Sequence, residues 1–425
     1  MRVGFYASRA PTSIRYAPLS ARAETRVAIV GGGFAGLNTA RSLLDRGVRE
    51  VVLLEAEQIG FGASGRNGGF VFAGYSLGEQ SLLQRVGEVA AKRLFGRSVA
   101  AVNLIRERIA RFGIDCDLVD AGVIWANWFR DPAVLRRRQR LLSQHYGVEW
   151  QWLPQAELRQ QLCTERYGDG LFERNAMHLD PLRYALGLAS SLSASGQRVH
   201  EDSPALALTR HGQGWRITTP QGVLDAEQVV LACGGYLAGL ERRVDRSILP
   251  IATYVMVTAP LGPRLTDSIR TRAAIYDTRF AFDYYRVLND TRLLWGGRIS
   301  IRNRDAGAVQ RLLRRDLARV YPQLAEVPVD HAWSGLMSYA RHEMPQIGGN
   351  GQGLWWAQAF GGHGLAPTAV AGELLAAAVA DGDPGWREFA AFGLVESFRP
   401  FGYLAAQGSY WWAGARDAMQ EWREK

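Results

Sequence analysis

Residues 26–55 read RVAIVGGGFAGLNTARSLLDRGVREVVLLE. The short apolar run RVAIV suits a strand buried on both faces, the next stretch a glycine turn opening a helix, and REVVLLE a second strand ending on an acid. Gly31, Gly33 and Gly36 stand at G-x-G-x-x-G spacing inside this β-turn-α-turn-β unit, and Glu55 closes it. In isolation that spacing carries little information. Between a strand and a helix, with an acid about 20 residues on, it fits a dinucleotide fingerprint. The glycines permit a tight turn and close approach of a pyrophosphate to the helix N-terminus, while Glu55 accepts hydrogen bonds from ribose hydroxyls.

Residues 59–70, IGFGASGRNGGF, form a second bare stretch, with Arg66 and Asn67 set among glycines. Gly-rich backbone allows a ligand close approach because no Cβ intervenes. Further on, LDAEQVVLACGGYLAGL (224–240) places Cys233 and Gly234 at the end of another apolar strand. GLWWAQAFGGHGLAPTAVAGELLAAAVA (353–380) is again strand, glycine turn and helix, with Pro367 suited to a first helical turn. Between these pieces, LPIATYVMVTAPL, FAFDYYRVLND and TRLLWGGRISI predict aromatic and β-branched strands, and RDAGAVQRLLRRDLARVYPQL an amphipathic helix.

A chain of 425 residues exceeds what one core usually serves, so two domains are expected. Its composition, 47% hydrophobic and 21% charged, is that of an ordinary globular protein. Cys116, Cys163 and Cys233 lack paired spacing, which argues against a disulfide framework or a metal site and fits a reducing compartment. Residues 1–25 are Arg-rich without a continuous apolar core, so no signal peptide is expected, and no apolar run is long enough to span a membrane. Net charge is +9, carried almost wholly by arginine, since Lys92 and Lys425 are the only lysines. The arginines are scattered without interleaved aromatics, so no nucleic-acid platform is read. LRRRQRLL (135–142) and RLLRRDLARV (311–320) are read as solvated helix faces.

Taken in order, GGGFAGLNTA, LLEAEQIGFGASGRNGG, LACGGY, LLWGGR, GLMSYARHEMPQIG and AFGGHGLAPTAVAGELLA resemble the FAD-dependent oxidoreductases of the D-amino-acid oxidase superfamily. The ASGRNGG form is similar to the γ-glutamylputrescine oxidase branch. The resemblance implies an α/β chain: a discontinuous Rossmann-like FAD-binding domain (25–85, 150–240 and 340–385) and an inserted antiparallel-sheet substrate domain (86–149 and 241–339), with 386–425 as a tail. It assigns non-covalent FAD to Gly31, Gly33, Phe34, Ala35, Gly36, Glu55, Ala56, Gly62 and Ala63, and to Ser64, Arg66, Asn67, Gly68 and Gly69. Cys233, Gly234, Gly361, Gly362, His363 and Gly364 complete that set, the last four beside the flavin's pyrimidine edge. The implied reaction is hydride transfer from the C–H beside nitrogen of an amine or amino acid, with O2 or a quinone as acceptor. No G-x-S-x-G elbow supports a hydrolase.

Tyr254, Tyr284, Tyr285 and Arg298 are candidate substrate walls on the inserted sheet, with Trp333 near them. Tyr254 and Tyr285 are preferred, and His363 is a candidate for charge at the ring. Related amino-acid oxidases often carry W-x-G-L-R-P, whose arginine grips the substrate carboxylate, whereas this chain reads WSGLMSYAR and has Met337 there. Either the substrate lacks an α-carboxylate, or Arg298, Arg341 or His342 takes over. Related enzymes also place a lysine over the flavin, and neither lysine here falls in a motif. L-Pipecolate, a cyclic amino acid of lysine breakdown, is the expected substrate, with γ-glutamylputrescine or another polyamine conjugate the alternative and a non-catalytic flavoprotein a third reading. A cytoplasmic location is expected. The tail, with Trp411, Trp412 and Trp422, is expected to pack on the domain surface, with peripheral contact at the inner face of a membrane as the alternative.

Overall fold

The computed structural model describes residues 4–11 and 15–424. The first strand, Arg22–Val30, pairs in parallel with Val51–Leu54 on one side and Val223–Leu231 on the other. Arg198–His200 and Leu354–Gln358 extend this parallel core at its two ends. Gln346–Gly349 adds antiparallel to Leu354–Gln358, and a hairpin (Ala207–His211, Gly214–Thr218) adds to Val223–Leu231. Val27–Val30 and Val51–Leu54 are buried throughout, as continuous apolar runs demand when helices cover both faces. Helices Phe34–Asp45 and Leu365–Asp381 cross where a Cβ on Gly372 would lie 2.7 Å from the backbone of Asn38, so only glycine fits.

The second sheet runs in the order Val329–Tyr339, Leu249–Thr258, Leu293–Ser300, Tyr284–Val287, Ala274–Asp277, Val123–Ala126, Gly170–Glu173, Gln151–Leu153. It is antiparallel except where Ala274–Asp277 pairs in parallel with Val123–Ala126. One face is sealed by helix Ala306–Val320, whose Val309, Leu313 and Leu317 join Met256, Trp295 and Tyr321 in a separate core. The other face looks toward the first sheet, and the space between them holds the cavity described below.

Two boundaries differ from those expected. Strands Gln151–Leu153 and Gly170–Glu173, placed in the FAD-binding domain on sequence, belong to the second sheet. Helix Glu88–Arg111, placed in the substrate domain, packs in the core of the first. Its buried Arg108 donates to Asn38 Oδ1 and Ser42 Oγ, both at 2.7 Å. An amphipathic pattern shows that a face is covered and leaves open which sheet covers it. The stretch 135–142 also differs: Arg138 is no solvated arginine but forks onto Glu79 (2.7 and 3.1 Å), sandwiched by Trp125 and Trp150.

The domains are joined by a buried guanidinium. Arg286, on strand Tyr284–Val287, donates to the carbonyls of Gly68 (2.7 Å) and Leu179 (2.8 Å) and to Tyr6 Oη (3.1 Å). His178 Nδ1, 3.2 Å away, accepts from it, and His178 Nε2 donates to the carbonyl of Arg272. Burial, aided by Arg286, holds the His178 imidazole neutral with a pKa of about 3. Arg286→Met leaves two buried carbonyls unpartnered, at a cost of about 1–3 kcal/mol each. The expected outcome is a loss of roughly 2–5 kcal/mol in urea unfolding, and an unchanged midpoint would remove Arg286 as the clasp.

Candidate active site

Between the sheets lies a cavity of 870 Å3, at the upper end for a small-molecule or cofactor site. One end is built by the first βαβ unit. Gly31 has φ of +117°, and a Cβ there would lie 2.5 Å from the carbonyl of Ala232, so the turn requires glycine. Gly36 does not face the cavity. A Cβ on it would fall on the Gly31 carbonyl, so its role is to let the helix approach the turn. Helix Phe34–Asp45 has no acid in its first turn, which leaves its positive end open to an anion. Glu55 accepts from the Gly32 N–H at 2.6 Å and the Glu57 N–H at 3.0 Å, and burial raises its pKa. Ala56 lines the same end, as do Phe34 and Ala35.

The loop after Glu55 runs along the cavity floor through Gly62, Ala63, Ser64, Arg66, Asn67, Gly68 and Gly69. Its bareness is explained largely by its outer side. A Cβ on Gly68 would lie 2.5 Å from the Tyr284 ring, and one on Gly69 would meet the carbonyl of Leu179. Asn67 folds back on the loop, donating to the carbonyls of Ala63 (2.9 Å) and Ser64 (3.0 Å) and accepting from the Gly69 N–H (2.8 Å). Ser64 Oγ accepts from the Phe34 N–H at 2.9 Å, tying the loop to the helix start. Trp333, which the sequence placed near the substrate walls, donates to the Arg66 carbonyl at 2.9 Å. The Arg66 guanidinium lies 4.8 Å from the Phe61 ring centroid and pairs with no carboxylate among the described residues. A guanidinium in this position is available to a ligand anion.

The facing wall is formed by Cys233 and Gly234, and by Gly361, Gly362, His363 and Gly364 just before helix Leu365–Asp381. Burial pushes the Cys233 thiol up to about 12, so it is no ready nucleophile for covalent attachment. His363 Nε2 lies 3.1 Å from the Phe72 carbonyl, to which it donates. Burial lowers its pKa to about 4, so the ring is neutral at pH 7 and does not supply the positive charge envisaged from sequence.

Four of the candidates from sequence stand elsewhere. Tyr254 and Tyr285 point into the core under helix Ala306–Val320: Tyr285 stacks on Trp295 at 4.3 Å, and Tyr254 Oη donates to the Arg302 carbonyl. Side chains alternate along a strand, so it is their neighbours Thr253 and Tyr284 that reach the cavity. Arg341 is exposed, its guanidinium 5.5 Å from the Phe398 ring centroid, and His342 is buried against the Gly393 carbonyl. Arg298 does line the cavity, but its Nε and Nη2 are engaged by Asp316, each at 2.6 Å. It is the extra residue of a bulge opposite Thr253/Tyr254, with φ of +60°, and the bulge turns its side chain toward the helix.

Sequence reasoning missed the rest of the aromatic lining. Phe72 stacks on Tyr276 at 5.6 Å, Phe70 meets Tyr284 edge-on at 5.5 Å, and Phe282 touches both tyrosines. Burial raises Tyr276 to about 12, and its Oη accepts from Arg138 at 3.2 Å. The signal was available in LLWGGR. Tyr284 crosses Gly296, while Tyr285 meets Trp295 on the opposite face. Met337 lines the cavity beside Gly362. Among the described lining residues the acids are Glu55 and Glu57, both at the βαβ end, and there is no lysine.

The bare turn, open helix end, ribose-side carboxylate and unpaired Arg66 fit FAD, which these residues would hold with its pyrophosphate at the helix start. Gly31→Val places a side chain against the Ala232 carbonyl. FAD affinity is expected to fall at least about 100-fold, or about 3 kcal/mol, read as loss of visible flavin absorbance with circular dichroism retained. Full flavin content would contradict the assignment.

Comparison with known proteins agrees with this geometry. The profile of the family described as "FAD dependent oxidoreductase" matches residues 26–378. Gamma-glutamylputrescine oxidoreductase of Escherichia coli (strain K12) is 33% identical over 372 residues, covering 86% of this chain and 87% of that protein. A probable oxidoreductase, OrdL, of Haemophilus influenzae is 30% identical over 392 residues, covering 89% and 88%. In fold, the chain superposes on glycine oxidase from Geobacillus kaustophilus with a TM-score of 0.74 at 23% identity, covering 88% of this chain and 98% of that one. The chain belongs to the FAD-dependent oxidoreductase family of D-amino-acid oxidase type and is an oxidoreductase of amines or amino acids.

Proposed function

We propose that the substrate is an extended amine without an α-carboxylate at the reacting carbon, in the manner of γ-glutamylputrescine or another polyamine conjugate. The observation that carries this reading is the aromatic wall with no free arginine beside it. Met337 stands where related oxidases grip a carboxylate, Arg341 is outside the cavity, and Arg298 is held by Asp316. A relative that is 33% identical carries the name gamma-glutamylputrescine oxidoreductase, which supports the same class. L-Pipecolate, favoured on sequence, needs a cation for its carboxylate, and Arg66, the unpaired guanidinium of the lining, is the one that would already serve the FAD pyrophosphate.

FAD, when bound, supplies the acceptor for the hydride leaving the carbon beside nitrogen, and the electrons then pass to O2 or a quinone. The chain's own part is to bind and orient. Tyr276, Phe282 and Tyr284 offer ring faces to an alkyl chain and its ammonium. Tyr276 is fixed by Arg138, which Glu79 fixes in turn. Among the described lining residues no carboxylate lies at the aromatic end, so the substrate amine loses its proton to water before it reacts.

Met337→Arg is expected to move the ratio of kcat/KM for L-pipecolate over the polyamine conjugate by at least about tenfold toward the amino acid. An unchanged ratio would remove Met337 from substrate selection. The pH profile is a second test. His363 charges only below about pH 4, so no inflection is expected near 6.5. Since an alkyl amine titrates near 10, kcat/KM should climb roughly tenfold per unit between pH 7 and 9. A plateau reached by pH 7 would show that the protein supplies a base.

A further inference from the structure

We propose that the outward face of the C-terminal helix Phe401–Arg423 docks on an anionic phospholipid surface. The inward face of this helix is fixed to the rim of the second sheet. Tyr410 Oη accepts from the Ile299 N–H (3.1 Å), Gln407 Oε1 from the Ile301 N–H (3.3 Å) and the Asp417 carboxylate from the Phe280 N–H (2.8 Å). Ala413 and Asp417 are its buried residues.

The outward face is apolar along its whole length. Phe401, Leu404, Gly408, Trp411, Ala415, Met419 and Trp422 follow one another at spacings of three or four, with Trp412 beside them, and all are exposed. Trp411, Trp412 and Trp422 are 70%, 73% and 75% exposed. Scattered exposed apolar residues are ordinary, but a continuous stripe marks a surface that something covers. Phe280, which meets Tyr410 of the inward face at 6.1 Å between ring centroids, and Phe282 are exposed at the cavity rim.

Two observations favour lipid over a second copy of the chain. Tryptophan suits a membrane interface, where the ring is buried and the N–H stays wet, and a helix of this kind lies in the interface plane. The surroundings are basic: Arg302, Arg304, Arg341, Arg416 and Arg423 are all exposed. Of the acids in this region, Glu396 pairs with Arg246, Glu421 with Arg319, Glu424 accepts from the Arg130 N–H and Asp305 caps helix Ala306–Val320, which leaves Glu343 exposed beside the arginines. A two-fold dimer would set this arginine-rich rim against its own copy, whereas an anionic bilayer complements it. No helix of the described residues is long and apolar enough to cross a membrane, so the contact is peripheral.

The test is flotation of the FAD-loaded full chain with phosphatidylglycerol-containing vesicles and with pure phosphatidylcholine vesicles. The wild type is compared with the triple variant Trp411→Ser, Trp412→Ser, Trp422→Ser. The wild type should partition onto the anionic vesicles, less so at high salt, with a blue shift of tryptophan emission. The variant should lose partitioning by roughly tenfold or more while oxidising a water-soluble amine at the wild-type rate. Equal flotation of the two proteins overturns the proposal. So does a lipid-free dimer of the wild type that becomes a monomer in the variant, since a second copy would then be what covers the stripe.

Discussion

The cavity depends on how closely bare backbone can approach other backbone. The Phe34–Asp45 helix reaches the first turn only because Gly36 leaves the Gly31 carbonyl uncovered, and that turn reaches the neighbouring strand only because Gly31 carries no Cβ against Ala232. On the opposite side, Gly68 and Gly69 let Tyr284 and Leu179 press on the loop, and Arg286 ties the loop to the second sheet. Each contact sets a distance that one methyl group would enlarge. Together they hold an open helix end and an aromatic wall against one shared space.

The electrostatics of that space are divided. The βαβ end holds a partly buried carboxylate, an open helix terminus and Arg66, groups suited to ribose and phosphate. At the other end His363 is kept neutral by burial, and the tyrosines are held un-ionised. Charge in that region is held in ion pairs: Glu79–Arg138 behind the wall orients Tyr276, and Arg298 at the lining is paired with Asp316. A site organised in this way presents ring faces to the amine or amino acid that enters it.

Much of this was legible in the residues. The βαβ unit, the glycine loop and the two later glycine clusters each sit at the cavity as expected, since close approach of backbone leaves a local, spaced mark in sequence. The substrate side was harder. Tyr285 was preferred to Tyr284 because strand alternation fixes two faces without naming the one that looks inward. Arg298 reaches the cavity as expected, but its pairing with Asp316 was not legible, because the bulge that turns its side chain leaves no distinct trace beyond the adjacent glycines. Arg138 read as surface charge, and nothing marked Arg286 as a clasp, because burial of an arginine is decided by partners distant in the chain.

The most direct test of this account is anaerobic reduction of the bound flavin by γ-glutamylputrescine and by L-pipecolate, followed by its visible absorbance in single turnover. The account predicts rapid bleaching by the polyamine conjugate and slow or no bleaching by the amino acid. Faster bleaching by L-pipecolate would mean that a carboxylate is held despite Met337, and would contradict the substrate side of the account while leaving the FAD cradle in place.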